Sequence, residues 1–400
     1  MAPLTSPLQG LGLLLTGQRK RGVEMDLVSW PRMAIVYLLA VLSSLIKPRW
    51  VPQRHFPILQ VRLEAAEVPG PKRVSAWRAL VGWRKKDQED GSSGAAPSAT
   101  TATMTAAAAD AATPLPALFF MAQAFRVVMS LLTLPAFPTA IMGTVVNKRA
   151  RYALLRAVTA GERVSYTARL CPATRETISG HTELDVHVEA RVEEDSELVF
   201  AAVLTLVLMN PKPRKRDPTA AKPSAGATAD PPANAPPLAT WRLGADVGRR
   251  YAMIDGDISP MHLTALTARL NGFPAPVANV HFLAATAERH LAAAVASIGG
   301  SAAGDARAAS VAASATLLQP LPAPYMLEVE FKKPTLLPNS VTMAASTASG
   351  ARGGKAGILA AAGGEPDGFQ FSLADKKGKP LAVGLLRSGG SAVERAMNTW

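Results

Sequence analysis

An α+β fold built from two similar halves is what this 400-residue sequence predicts. Three observations carry the expectation. An apolar helical segment, Phe119 to Leu134, precedes strand-like runs up to Met209. The same order recurs between residues 263 and 385. A Pro-rich stretch at 211–238 separates the two, and a helix followed by antiparallel strands is a layered unit whose sheet covers one helix.

In the first half the alternations are Val164/Tyr166/Ala168/Leu170 and Leu184/Val186/Val188/Ala190, the period of a half-buried strand. Leu198 to Met209 is continuously apolar and reads as a central strand. In the second half, helical segments at 263–271 and 280–298 precede Leu327/Val329/Phe331, Phe369/Phe371/Leu373 and Leu381/Val383/Leu385. Pro276 blocks an earlier start to the second helix, Asn279 is a strong N-cap, and Gly299-Gly300 marks an end.

The segments outside the halves differ in kind. Residues 1–49 form a tail whose stretch 28–46 is apolar and flanked by Lys47 and Arg49. Its run from Met33 to Ile46 is shorter than the roughly 20 residues a spanning helix needs. It reads as a signal anchor, an organelle-targeting segment or a helix lying on the protein, and the first two would place the chain at a membrane or in an organelle. Residues 88–113 are an Ala/Ser/Thr/Gly insert too poor in large apolar groups to fold, and 297–316 reads as an expanded loop.

The net charge of +13 sits mostly in these segments: 14 basic and 7 acidic side chains in residues 1–90, 5 and 1 in 211–222. A polyanion would meet tails and a linker, not a folded surface, so no nucleic-acid partner is expected. The single Cys171 excludes an internal disulfide, fits a reducing compartment and reads as packing. His181 and His187 lie along a strand without ligand spacing, and no dinucleotide, P-loop or G-x-S-x-G signature is complete. No cofactor or metal is expected.

The stretch Tyr251 to His262 carries the chemistry. It sets Asp257 and His262 five residues apart on a loop bent by Gly256 and Pro260, where two short side chains can grip one water molecule. A calcium-loop reading of Asp255/Asp257/Ser259 fails, because Pro260 takes the required Gly position and Leu266 the required Glu. The start of the helix at 280, with Asn279 and Val280, is where a developing negative charge would sit best.

The loop resembles the signature G-D-x-N-P-hydrophobic-H of the MaoC-like acyl-thioester dehydratases and (R)-specific enoyl-CoA hydratases, with Ser259 in place of Asn. The resemblance extends through Trp241-Arg242-Leu243, Gly248 to Tyr251, Gly272-Phe273-Pro274 and Phe331 to Pro334. In the first half it runs through Phe137-Pro138, Gly143 to Asn147 and, more distantly, Val61 to Gly82. It implies a double hotdog, two long sheets each wrapped on a central helix and joined edge to edge. Residues 50–210 would be a degenerate half and 239–392 the catalytic half. The catalytic pair would be Asp257 and His262, with Gly256, Ser259, Pro260, Asn279 and Val280 as loop and oxyanion support. The substrate would be an acyl thioester of coenzyme A or acyl carrier protein, and the chain an internal pseudo-dimer, with a further homodimer left open. Two departures stand against full activity: Ser259 lacks the amide that would brace the loop, and Asn279-Val280-His281 replaces His-Gly-Met. The alternatives are a non-catalytic acyl-thioester-binding module tethered to a membrane, or a hotdog thioesterase.

Overall fold

The computed structural model describes residues 22–27, 29–47, 56–67, 70–83, 112–137, 139–140, 145–177, 179–210, 235, 237–302, 318–347, 368–398 and 400. The insert up to residue 111, most of the linker and the stretch 303–317 lie outside them. In chain order the elements are β1 (Gly22–Leu27), α1 (Met33–Ile46), β2 (Ile58–Glu67), α2 (Pro71–Val81), α3 (Ala117–Thr133), β3 (Val145–Leu154), β4 (Arg163–Glu176), β5 (Thr182–Val192), β6 (Leu198–Leu208) and β7 (Pro237–Leu243). There follow α4 (Val247–Asp255), α5 (Pro260–Leu263), α6 (Ala265–Leu270), α7 (Val280–Ala302), β8 (Tyr325–Phe331), β9 (Asn339–Thr347), β10 (Gly368–Asp375), β11 (Pro380–Ser388) and α8 (Gly390–Met397).

All eleven strands form one sheet in the order β1-β2-β4-β5-β6-β3-β8-β11-β10-β9-β7. The two half-sheets meet where β3 pairs antiparallel with β8, from Arg149 opposite Glu330 to Leu154 opposite Tyr325. The first half-sheet packs on α3 along β2, β3, β4, β5 and β6, and the second passes α7 at β7 and β8. This is the double hotdog, with one core running through both halves.

Sequence explains each layer. In α3 all residues but Phe125 and Arg126 are buried, as suits a helix apolar on every side. Each fully buried Leu or Phe there contributes roughly 1.5–3 kcal/mol. In β4 burial alternates along its first eight residues, so one face looks at α3 and the other outward. β6 is buried at ten consecutive positions, the central strand that its unbroken apolar run predicts.

Several boundaries differ from the sequence reading. β7 begins at Pro237, two residues inside the expected linker. The helical stretch 263–271 is two short helices, because Thr264 leaves helical geometry to cap α6 by accepting from Thr267 N at 3.1 Å. α7 runs through Gly299-Gly300 to Ala302; glycine weakens a helix but, unlike proline, removes no hydrogen bond. Cys171 is half-buried and lines an outer-face cleft of about 440 Å³ with Arg149, Arg151, Arg175, His187 and Trp400, and is not a core residue. Among the described residues no helix is long and apolar enough to cross a membrane. The stretch 28–46 supplies α1, which packs against α3.

The two halves exchange contacts around the seam with near two-fold symmetry. Tyr152 lies opposite Leu327 and Tyr325 opposite Leu154. Phe125, the ninth residue of α3, meets the ring of His281 at the start of α7, where Tyr152 Oη also bonds His281 Nδ1 at 2.8 Å. Glu288, the ninth residue of α7, lies against the start of α3. Its carboxyl accepts from Ala117 N at 2.9 Å, from Leu118 N at 3.3 Å and from Tyr325 Oη. Each central helix therefore begins against a tyrosine and a ninth-position side chain from the opposite half.

Glu288 has no exposed surface, and burial pushes its carboxyl up to about 7, although Tyr325 and the two backbone N–H groups pull the other way. The fold thus favours the protonated form. Its stabilising share is full below the unfolded value of 4.5 and is lost as pH rises through about 7, a span of about 3 kcal/mol. Denaturant unfolding followed between about pH 5 and 8 should show a decline in stability that Glu288→Gln lacks.

Candidate active site

The site is built where α4 stops. Gly256 ends that helix with φ of +84°, the left-handed region glycine enters without strain. A Cβ there would stand 2.8 Å from Met33 Cγ and 3.2 Å from Arg126, so the bare backbone also admits α1 and α3 against the loop. Asp257 follows, 5% exposed, and its backbone N–H donates to Asp255 Oδ1 at 2.8 Å. Ser259 closes a tight turn, its N–H donating to Asp257 Oδ1 at 3.1 Å and its hydroxyl to the same oxygen. Pro260 opens α5 with φ already set for helix. One turn of α5 then swings His262 back toward Asp257.

Two carbonyl contacts fix the histidine. Its N–H donates to Ser259 O at 2.9 Å, and ring Nδ1–H donates to Val277 O at 2.7 Å. Nε2 is left facing Asp257 Oδ2 at 3.4 Å. Asn279 braces the same carboxylate from the start of α7: Nδ2 donates to Asp257 Oδ2 at 2.8 Å and to Asp255 Oδ2 at 3.3 Å. Its Oδ1 accepts from His281 N at 2.8 Å, the N-cap bond expected of that residue. The amide absent at Ser259 is thus supplied from position 279. Val280, half-buried, is the first residue of α7.

One side chain from the N-terminal tail and two from the first half complete the loop. Tyr37 Oη of α1 donates to Asp257 Oδ1 at 2.6 Å and lies 3.1 Å from Ser259 Oγ. Arg73 of α2 and Arg126 of α3 both donate to Ile254 O, at 2.6 and 3.4 Å.

Electrostatics divide the two carboxyl groups. Burial, then the neighbouring Asp257 charge, pushes Asp255 far above the carboxylate range, so it carries the proton. Burial also works against the Asp257 charge. The His262 ring, with bonds from His262, Ser259 and Tyr37, outweighs it and holds Asp257 well below that range. Burial alone would lower His262, yet the Asp257 charge and the Val277 carbonyl raise it above 6.5. The two shifts favour a carboxylate facing an imidazolium, a pair able to take and give a proton to a small molecule that touches both. His281 is different in kind: burial drops it to about 4, and it packs neutral against Phe125 and Tyr152. Among the described residues no group of acids, His and Cys is arranged for a metal.

The structure brings Asp257, Ser259, His262 and Asn279 into contact on a loop bent at Gly256 and Pro260, with Val280 following Asn279 at the first position of α7. The sequence reading missed Tyr37, Asp255, Arg73 and Arg126. Tyr37 shares its 14-residue helix with Ser43 and Ser44, so it was not marked as a lone polar side chain.

With this geometry in view, the comparisons define the class by fold. The chain is a double-hotdog protein, the architecture implied by its loop's resemblance to the MaoC-like dehydratases. No family model and no curated protein matches the sequence. Two crystal structures of HtdX from Mycobacterium tuberculosis match it, at 21% and 22% identity with TM-scores of 0.53 and 0.50. Both cover 82% of this chain, and 100% and 99% of their own. A MaoC-like dehydratase from Phytophthora capsici is similar at 11% identity and a TM-score of 0.49, over 85% of this chain and 97% of its own.

Gly248, in the first turn of α4, sets how closely that helix approaches the histidine. An added Cβ would lie 2.3 Å from the His262 carbonyl oxygen. Gly248→Ala should therefore displace His262 and cost about 1–3 kcal/mol, read as a lowered unfolding midpoint and a shifted His262 ring resonance.

Proposed function

We propose that the chain is a hydro-lyase interconverting (R)-3-hydroxyacyl and trans-2-enoyl thioesters of coenzyme A or acyl carrier protein. The observation that carries the reading is the 3.4 Å approach of Asp257 Oδ2 to His262 Nε2, two buried groups of opposite charge that one water can bridge. In the hydration direction Asp257 takes a proton from water as the oxygen attacks the β-carbon. The negative charge passes to the thioester oxygen, which the positive end of α7 favours. His262 then protonates the α-carbon, and transfer of a proton from Asp257 to His262 restores the pair. One water is added across the double bond, and the protein is unchanged.

A purified preparation should hydrate crotonyl-CoA or a longer enoyl-CoA, followed by loss of enoyl-thioester absorbance. Asp257→Asn should lower the rate on the order of 10²–10⁴-fold, since it removes the base and the partner of His262. Absence of turnover at every chain length, by folded protein, would overturn the reading. The pH dependence follows from the same pair. Rate falls on the acid side only below the usual carboxylate range, as Asp257 takes up its proton, and on the basic side above 6.5, as His262 loses its own.

A second reading, a non-catalytic acyl-thioester-binding module, is favoured by two features of α7. Val280 places a branched side chain at its first position, and Asn279 already engages the His281 N–H. Tight acyl-CoA binding without product would select it, and release of free coenzyme A would select a thioesterase. Membrane contact through 28–46 is favoured by the outer side of α1, where Leu38, Val41, Leu42, Leu45 and Ile46 are exposed. Co-sedimentation with anionic vesicles, lost in Leu42→Ser/Leu45→Ser, tests it.

A further inference from the structure

We propose that Tyr37 is a positioning residue for the Asp257 carboxylate, and that α1, from the N-terminal tail, is a working part of the site. This deepens the hydro-lyase reading and rests on it for its consequence in turnover, though not for its geometry.

The argument begins with what holds Asp257. Oδ2 faces His262 and accepts from Asn279, while Oδ1 accepts from Ser259 and from Tyr37 at 2.6 Å. A carboxylate is planar, so fixing Oδ1 fixes the direction of Oδ2. The Tyr37 hydroxyl lies 220 residues away in sequence, on the far side of Asp257 from His262's partner oxygen. Burial and the Asp257 charge push the phenol far above its ordinary value, so it remains a donor at every pH where the pair works.

α1 is fastened for this purpose along its whole length. Before it, Trp30 packs on the Tyr166 ring at 5.4 Å and beneath the Arg126 guanidinium at 5.8 Å. At its first residue Met33 sits over Gly256, where any side chain would collide with it. In the middle Val36, Tyr37, Ala40 and Ser43 are buried. Just beyond its end Lys47 Nζ donates to Leu134 O at 2.8 Å, next to the last turn of α3. A segment held only by its apolar face could shift register; these contacts fix Tyr37 on one oxygen.

The test is Tyr37→Phe, which deletes one oxygen and keeps the ring. In the hydratase assay kcat should fall about 10- to 100-fold with KM little changed, the effect of one hydrogen bond to a charged group. The acid limb of the pH profile should move to higher pH, because a donor to the ionised form has been lost. Ala34→Ser, at an exposed position of the same helix, should leave both unchanged. Independently of any turnover, the Asp257 carboxyl, followed by carbon NMR or difference infrared, should titrate at higher pH in Tyr37→Phe than in wild type. If wild type hydrates enoyl thioesters and Tyr37→Phe matches it in kcat, pH profile and carboxyl titration, the positioning role is overturned. If the titration moves but even wild type shows no hydration, the hydro-lyase reading falls and the positioning of Asp257 by α1 stands.

Discussion

One buried negative charge organises this molecule. A carboxylate withdrawn from water must be met by donors and by opposite charge, or it takes up a proton. Asp255 takes the second course and Asp257 the first. The donors to Asp257 come from the loop itself, from the start of α7 and from α1, and the opposite charge from α5. The local geometry of residues 248–281 follows: a glycine where α4 must touch His262, another where α1 must touch the loop, and an asparagine that caps a helix and holds a carboxylate with one side chain.

The half that carries the loop does not hold it alone. Arg73 and Arg126 belong to the half without the signature and Tyr37 to the tail before it, and each meets the loop between Ile254 and Ser259. The β3–β8 pairing makes this reach possible by fixing the two half-sheets in one register. The half without the signature therefore serves as part of the loop's scaffold.

Much of this was legible in the sequence, and the parts that were not share a physical cause. β4, β5 and β6 announced themselves because one-sided or two-sided burial imposes a period on the residues. Asn279 was readable because an N-cap is a local device, and the Asp257–His262 pair because its spacing is short. Tyr37 was not, since an apolar 14-mer carries the same pattern whether lipid or protein covers it. Glu288 was not, because nothing around it in an Ala-rich helix shows that its partner is the end of another helix 170 residues away. The edge strands β1 and β7 are short, and β9 carries only Val341 and Met343 among Asn, Ser, Thr and Ala, so no long apolar period emerged.

The pseudo-two-fold exchange at the seam is broken at one chemically decisive place. At the mouth of α7 the opposite half presents neutral rings, Phe125 and Tyr152. At the mouth of α3 it presents the carboxyl of Glu288, which already engages the two leading amides. At the mouth of α3 a carboxyl from the opposite half thus fills the place that, at the mouth of α7, the proposed reading gives to an acyl carbonyl. An acyl ligand seated as proposed accordingly has one place per polypeptide, not two, and the asymmetry is written into a single side chain.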